Sequence, residues 1–385
     1  MRISTRAGRD VRGRKPWVMG TVVLSLAALV LAGCTGGTSK EGAGSSSGGG
    51  TETVVDSMKP VAEINAPTEA FTPPKGKRIL ILMCSSAGAG CVNEGNEEKA
   101  VAESLGWKVD LVDGKFDPTV WNQAVKQAAE SGVDGIISIS ADPNLMAEAM
   151  GIVQKKKIPF VLTNQAPDDT DIAGVDTYVG PDPVQGGKDI ADWIIADSQG
   201  KANVLLIDAP GFTNILKRSA SIASSLKADC KGCKVTSTDM SAATVGTTLA
   251  PLVTSRIQQD PKLDYVIAPD DCCVGFANQG IQQAGKTASV KVISVGGFTE
   301  QLSELRKGSG PIAADLATPN RYMGWLAVDS LARRMAGLPT EKFWAAPQRL
   351  FTTVNADEVS ADKTKLGWNL DFDYRPQFQD MWGIR

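Results

Sequence analysis

The chain has 385 residues, with 40 Lys and Arg against 43 Asp and Glu and no histidine, for a formal charge of -3. That balance leaves no electrostatic footprint for nucleic acid or anionic lipid. The missing histidine excludes Ser-His-Asp and Cys-His catalysis and histidine-ligated metals, so an enzyme would have to rely on carboxylates or lysine.

Residues 2 to 15 carry Arg2, Arg6, Arg9, Arg12, Arg14 and Lys15 against Asp10, and an apolar run follows from Trp17 to Leu31. This is the charged and hydrophobic pattern of an export signal. The run closes on Leu31-Ala32-Gly33-Cys34, which looks like a bacterial lipobox: cleavage before Cys34, whose thiol then carries diacylglycerol. The alternative is an uncleaved membrane anchor, since about 17 apolar residues can just span a bilayer. Either places the remainder outside the cytoplasm, tethered to the membrane. Removing residues 1 to 33, with six bases and one acid, moves the charge from -3 to -8. TGGTSKEGAGSSSGGG, residues 35 to 50, has the composition of a flexible leash. The expected linker covers 34 to 76, and the chain after it is long enough for two lobes.

From residue 77 onward short apolar runs alternate with amphipathic ones. RILILM (78 to 83) reads as a strand, EGNEEKAVAESLG (94 to 106) as a helix, KVDLV (108 to 112) as a strand and PTVWNQAVKQAAESG (118 to 132) as a helix. GIISIS, PFVLT and AGVDTYV continue as strands, with PNLMAEAMGIVQKKK as a helix between the first two. The alternation then restarts. NVLLID (203 to 208), VTSTDM, YVIA (265 to 268) and VKVISVG (290 to 296) read as strands separated by helices, and PIAADLA (311 to 317) as a last strand. This predicts parallel sheets with crossover helices in two open α/β lobes, where ligands sit beyond the carboxyl ends of the strands. The helix PNRYMGWLAVDSLARRMAGLP follows. Residues 355 to 385 hold Trp368, Phe372, Tyr374, Phe378 and Trp382, too many aromatics to stay solvated, and are expected to lie across a lobe as a strap.

GIQQAGKT, residues 280 to 287, matches the phosphate-loop pattern. A phosphate loop needs its glycines in a turn after a strand, with the lysine opening a helix. Here Gly280 continues a helix and Gly285 ends it, and a helix C-terminus repels phosphate. The match is accidental, and no cofactor is expected. With Cys34 assigned to lipid, Cys84, Cys91, Cys230, Cys233, Cys272 and Cys273 remain. An even count in an exported chain favours disulfides, the pairs nearest in sequence being 84 with 91, 230 with 233 and 272 with 273. Cys230-Lys-Gly-Cys233 lacks the strand-to-helix context of a redox motif and the second half of a zinc site, and reads as a staple.

In the stretches AVAESLGWKV, IPFVLTNQ, VGPDPVQGGKDIADWI, APDDCCVGFANQGIQQAGK and VISVGGF the chain resembles the type I periplasmic-binding-protein family. The likeness is to its ribose-binding-like solute receptors of ABC importers, and runs from about Lys77 to Val354. Lactose-repressor-type regulators share the fold, but a lipobox and an acidic body stand where their DNA-binding headpiece would be. The resemblance implies two discontinuous Rossmann-like lobes with parallel sheets, joined by three hinge crossings, with a ligand cleft between them. Lobe 1 is expected at 77–178 and 317–342, and lobe 2 at 179–316 and 343–354. It also implies a monomer that closes on a small solute and delivers it to a permease.

Carried over residue by residue, the resemblance puts Asp270 where the family reads sugar hydroxyls, although PDDCC also suits Asp270 to capping a helix. Asn164 and Gln165 stand where the ribose receptors carry Asp and Arg. Phe298 replaces a hydroxyl-reading aspartate, or else packs as core. Thr318 replaces a glutamine, and Leu216 an arginine to within one residue of alignment. The loop SSAGAGC lacks the family's stacking phenylalanines and offers Ser85 and Ser86 instead. Asn214 completes the candidate contacts. A sugar is the family default, and the lost polar groups give as its alternative a less hydroxylated or partly aromatic solute packing on Phe298. Cys272-Cys273 is read either as a vicinal disulfide walling the cleft or as two packed thiols. Two other functions stay open: a ligand sensor for a membrane signalling receptor, and an extracytoplasmic enzyme using Asp270 with Asp271.

Overall fold

The computed structural model describes residues 56–167, 172–359 and 367–384. The leader, Cys34 and the leash lie outside the described residues.

Two six-stranded sheets organise the chain. The first half runs β1 (Arg78–Met83), α1 (Ala89–Ser104), β2 (Lys108–Asp113), α2 (Pro118–Ser131), β3 (Gly135–Ile139), α3 (Ala147–Lys156), β4 (Phe160–Thr163) and β5 (Thr177–Pro181). The second runs α4 (Pro183–Asp197), β6 (Asn203–Asp208), α5 (Thr213–Asp229), β7 (Lys234–Asp239), α6 (Val245–Gln259), β8 (Tyr265–Ile267), α7 (Val274–Gln283), β9 (Lys291–Gly296), α8 (Thr299–Lys307) and β10 (Ile312–Ala317). Then follow α9 (Asn320–Met335), β11 (Phe343–Ala346), β12 (Arg349–Thr352) and α10 (Arg375–Trp382). Sheet one has the order β11-β5-β4-β3-β1-β2 and sheet two β12-β10-β9-β8-β6-β7, parallel throughout except where β12 runs against β10.

The central strands are fully buried runs, Ile79 to Leu82 in β1 and Ile136, Ile137 and Ile139 in β3, because helices cover both faces of a parallel sheet. Helices start and stop where their end chemistry dictates. Asp117 and Asp182 accept N–H bonds at the starts of α2 and α4, each followed by Pro, and Gly132 closes α2 with φ 79°. Gly280 lies inside α7 and Gly285 beyond its end takes φ 70°, so GIQQAGKT forms a helix C-terminus.

The chain passes between lobes three times: from β5 to α4, from β10 to α9, and from β11 to β12. The third crossing corrects the expected boundary. Phe343 to Ala346 pair with Tyr178 to Pro181 in sheet one, so 343–346 belong to lobe 1 and only residues from Arg349 rejoin lobe 2. Pro347 cannot continue the ladder, and the strand ends there.

Both terminal segments run over both lobes, so the described part of the expected linker, residues 56–76, packs on the body instead of forming a leash, because Met58, Ile64 and Phe71 have apolar cores to lie against. The backbone carbonyl of Met58 accepts bonds from Arg349 Nε at 2.9 Å and Asn355 Nδ2 at 3.1 Å, while Tyr322 Oη donates to Asn65 O and Arg333 Nη2 to Glu69 O. In the tail, Trp368 packs on Phe351 of lobe 2, and Tyr374, Phe378 and Trp382 pack on Tyr322 and Trp325 of lobe 1. Trp382 stacks on Trp325 with centroids 5.5 Å apart and planes at 3°.

Candidate ligand-binding cleft

The carboxyl ends of both sheets face one another across a cavity of about 90 Å³. That is room for roughly six to nine water-sized groups, the scale of a monosaccharide. Lobe 1 contributes Cys84, Gly88, Gly90, Cys91, Phe116, Ser140 and Asn164, and lobe 2 contributes Phe212, Asn214, Arg218, Asp270, Cys272 and Cys273; Thr318 and Asn320 come from the second hinge crossing.

Backbone geometry singles out the rim. Seven non-glycine residues among those described have a left-handed φ, and three of them line the cavity: Phe116 (53°), Ser140 (55°) and Asn164 (53°). Such conformations persist where surrounding structure enforces them, often at binding sites. Ser140 and Asn164 directly follow β3 and β4, so the turn aims two polar side chains into the gap.

One end of the cavity is polar. Asp270 caps the short turn leading into α7, its Oδ1 accepting from Cys272 N at 3.1 Å. Arg218 is buried beside it and donates through Nη2 to the Pro269 carbonyl. Burial pulls the Arg218 guanidinium down to about 10 while Asp270 and Asp208 oppose the shift, and burial pushes the Asp270 carboxyl up. Each charge favours the ionised form of the other across the polar end of the cavity.

The other end is apolar. Phe116 and Phe212 meet edge to face, Trp121 lies against Phe212, and the Cys84–Cys91 disulfide ties β1 to α1 alongside Gly88. A Cβ on Gly88 would lie 3.2 Å from the Phe116 ring and 3.5 Å from Cys84 Sγ, so a larger residue would crowd this end.

Behind the floor, Asp271 accepts from the Ser294 hydroxyl and from Phe298 N at 2.7 Å, and Asp315 accepts from Gly297 N at 3.1 Å. Burial, helped by the Asp270 charge, pushes Asp271 up to about 7, and burial with Asp271 pushes Asp315 well up. Asp271 thus ties β9 to the loop 296–298, and one oxygen of Asp315 holds the same loop. Among the described residues no cluster of three or more His, Cys, Asp or Glu is arranged to hold a metal.

The structure divides the candidate contacts. Asn164, Asn214, Asp270 and Thr318 line the cavity. Ser86 instead bonds Asp113 through its amide at 2.8 Å and its hydroxyl at 2.6 Å. The Ser85 hydroxyl accepts from Ala87 N, and Gln165 is buried with its backbone against Gly180. Phe298 is nearly buried, and its ring would come within 3.4 Å of a Cβ on Gly90, so it props the first-lobe loop from below. Leu216 is exposed, whereas Arg218 faces inward. The helix period held the signal for Arg218, because it shares a face with Asn214 four residues earlier. Phe116, Phe212, Ser140 and Asn320 carried no such signal.

Of the three cysteine pairs, Cys84–Cys91 and Cys230–Cys233 are bonded, whereas Cys272 and Cys273 are free thiols with Sγ atoms 3.7 Å apart. The wall at α7 is therefore a dithiol here. The lobes also touch across the cleft: Thr213 Oγ1 donates to Asp142 Oδ2 at 3.1 Å and Lys217 Nζ to the Pro167 carbonyl at 2.6 Å.

Comparison with curated proteins finds no match. Among solved structures, a 5-methylthioribose transporter solute-binding protein from Thermotoga lettingae TMO is 20% identical, with a TM-score of 0.69 over 82% of this chain and 100% of that one. An ABC sugar transporter subunit from Rhodobacter sphaeroides 2.4.1 is 21% identical, with a TM-score of 0.66 over 73% and 99%. A galactofuranose binding protein is 22% identical, with a TM-score of 0.67 over 76% and 99%. These likenesses establish the two-lobed fold. The family model described as a periplasmic binding protein domain matches residues 87–339, most of both lobes, and the chain belongs to that family.

Proposed function

We propose that this chain is the extracytoplasmic solute receptor of an ABC importer. It is held as a monomer at the outer face of the cytoplasmic membrane by lipid on Cys34, captures a monosaccharide-sized solute by closure of its lobes, and presents the closed form to a permease. The observation that carries the reading is the cavity shared by both lobes, with the Asp270 and Arg218 pair at one end and the Phe116 and Phe212 pair at the other. Hydroxyls suit the first end and an apolar substituent the second, since a buried polar pair selects for groups that complete its hydrogen bonds. The solute class proposed is therefore a sugar of pentose or hexose size bearing an apolar group. The names of several proteins of similar fold point the same way, one bound to 5-methylthioribose and one to D-fucose. Binding to both lobes stabilises the closed state by the differential affinity of the solute for that state. No bond is made or broken.

A thermal-shift screen of the C34S chain against pentoses, hexoses, 5-methylthioribose, nucleosides and aromatic acids tests this, because a ligand specific to the native state raises the melting temperature. A shift confined to sugars supports the proposal. A shift only with aromatic acids, or measurable turnover of any solute, contradicts it.

A further inference from the structure

Four of the six described cysteines are paired, as in chains matured outside the cytoplasm. The two exceptions are adjacent, both line the cavity, and hold their sulfurs 3.7 Å apart at the start of α7, beside Asp270. Cys273 is buried and Cys272 half-buried, so the second thiol is reached through the first.

We infer that Cys272 and Cys273 are a reversible oxidation site in the wall of the cleft, closing to a disulfide ring between neighbours and reopening to the dithiol. The sulfurs must approach by about 1.7 Å to reach bonding distance near 2.05 Å, and only one peptide unit separates their backbones. The oxidant is a peroxide. Cys272 attacks hydrogen peroxide as its thiolate, the O–O bond breaks, and a sulfenic acid and hydroxide result, the hydroxide taking up the thiol proton to give one water. Cys273 thiol then attacks the Cys272 sulfur, the S–O bond breaks, and a second water leaves. Two thiols lose two electrons and two protons, and one peroxide becomes two waters. A small dithiol reverses the change by exchange.

The ring removes two S–H groups from the cavity and shifts the wall next to Asp270, so the oxidised and reduced forms differ in solute affinity. That consequence rests on the solute-binding proposal; the oxidation does not.

The C34S chain is treated with hydrogen peroxide, denatured in N-ethylmaleimide and weighed intact. Before peroxide it takes two labels, and afterwards none, with a mass lower by two hydrogens and a single peptide carrying the 272–273 link. A preparation already closed gives the two labels after mild dithiol treatment, which equally supports the inference. C272S and C273S must gain oxygen or dimerise instead. Two labels persisting after peroxide, or oxygen adducts on the wild-type pair, would overturn it. Calorimetry with 5-methylthioribose and with D-ribose on both forms should give dissociation constants differing by at least about fivefold, and equal constants would refute the coupling. Heat from neither probe would count against the proposed solute class and leave the mass result to decide the oxidation.

Discussion

Phe116 of the first lobe and Phe212 of the second meet edge to face across the cleft, with ring centroids 6.0 Å apart and planes at 79°. Phe212 packs against the cores of both lobes, so it acts as an apolar latch between them at the mouth of the cleft. An edge-to-face pair contributes about 0.5 to 1.5 kcal/mol beyond its buried area. Phe212→Ala should therefore lower the closed population of the solute-free protein roughly two- to tenfold. Small-angle scattering would register this as a larger radius of gyration, and an unchanged profile would show that the latch contributes nothing.

Asp270 and Arg218 both line the polar end, with Arg218 bonded to the Pro269 carbonyl next to Asp270, and Asp270 accepts the Cys272 amide. Asp270→Asn keeps an acceptor for that amide but loses the charge. Hydrogen bonds to a charged group are worth about 1.5 to 3 kcal/mol, so solute affinity should fall roughly ten- to hundredfold with little change in the melting temperature of the solute-free protein. Equal affinity in titration calorimetry would remove Asp270 from the binding site.

Glu94 and Glu98 lie one turn apart on α1, fully buried, and among the described residues none donates a hydrogen bond to their four carboxylate oxygens. Burial, slightly relieved by Thr163, raises Glu94 to about 8, and burial with the Glu94 charge raises Glu98 well above its ordinary value. Their folded pKa values exceed the unfolded value of 4.5. The stability gained from the neutral forms is therefore fully present below the unfolded value and lost as pH rises through about 8. The melting temperature should fall between pH 5 and pH 9. In the double variant E94Q/E98Q the fall should be shallower and the value at pH 9 higher, with the buried Asp271 and Asp315 sustaining the remaining slope. An unaltered slope in the variant would contradict this assignment.

The tail clamps lobe 1 through Trp382, whose indole Nε1 donates to Asp329 Oδ1 at 2.8 Å while its ring stacks on Trp325. Asp329 also pairs with the buried Arg333 at 2.7 Å. Trp382→Ala should cost about 3 to 5 kcal/mol in chemical denaturation, as for other buried aromatics. A loss under about 1 kcal/mol would mean that the tail only rests on the surface.

The strands of both sheets were legible because each central strand is a short apolar run closed by polar or small residues. Less so were β11 and β12: FWAAPQRLF is one apolar stretch whose halves join different sheets, and only Pro347 marks the break. The helix α8 escaped notice because TEQLSELRK buries only Leu302, Leu305 and Gln301. In the site, Asp270 stood out as a helix-start acid, whereas Arg218 was displaced by a half-turn misalignment onto Leu216. Ser85 and Ser86 looked free as a pair of hydroxyls, since nothing local to them reveals that Asp113, 27 residues on, captures Ser86. Phe116 and Phe212 belong to loops from different lobes, and only the folded chain brings them together.

Small-angle scattering of the C34S chain, with and without saturating amounts of whichever sugar raises its melting temperature, tests lobe closure most directly. The expected result is a smaller radius of gyration on binding, with the change reduced in Asp270→Asn at the same sugar concentration. Tight binding with no contraction, or contraction that is indifferent to Asp270, would contradict the account.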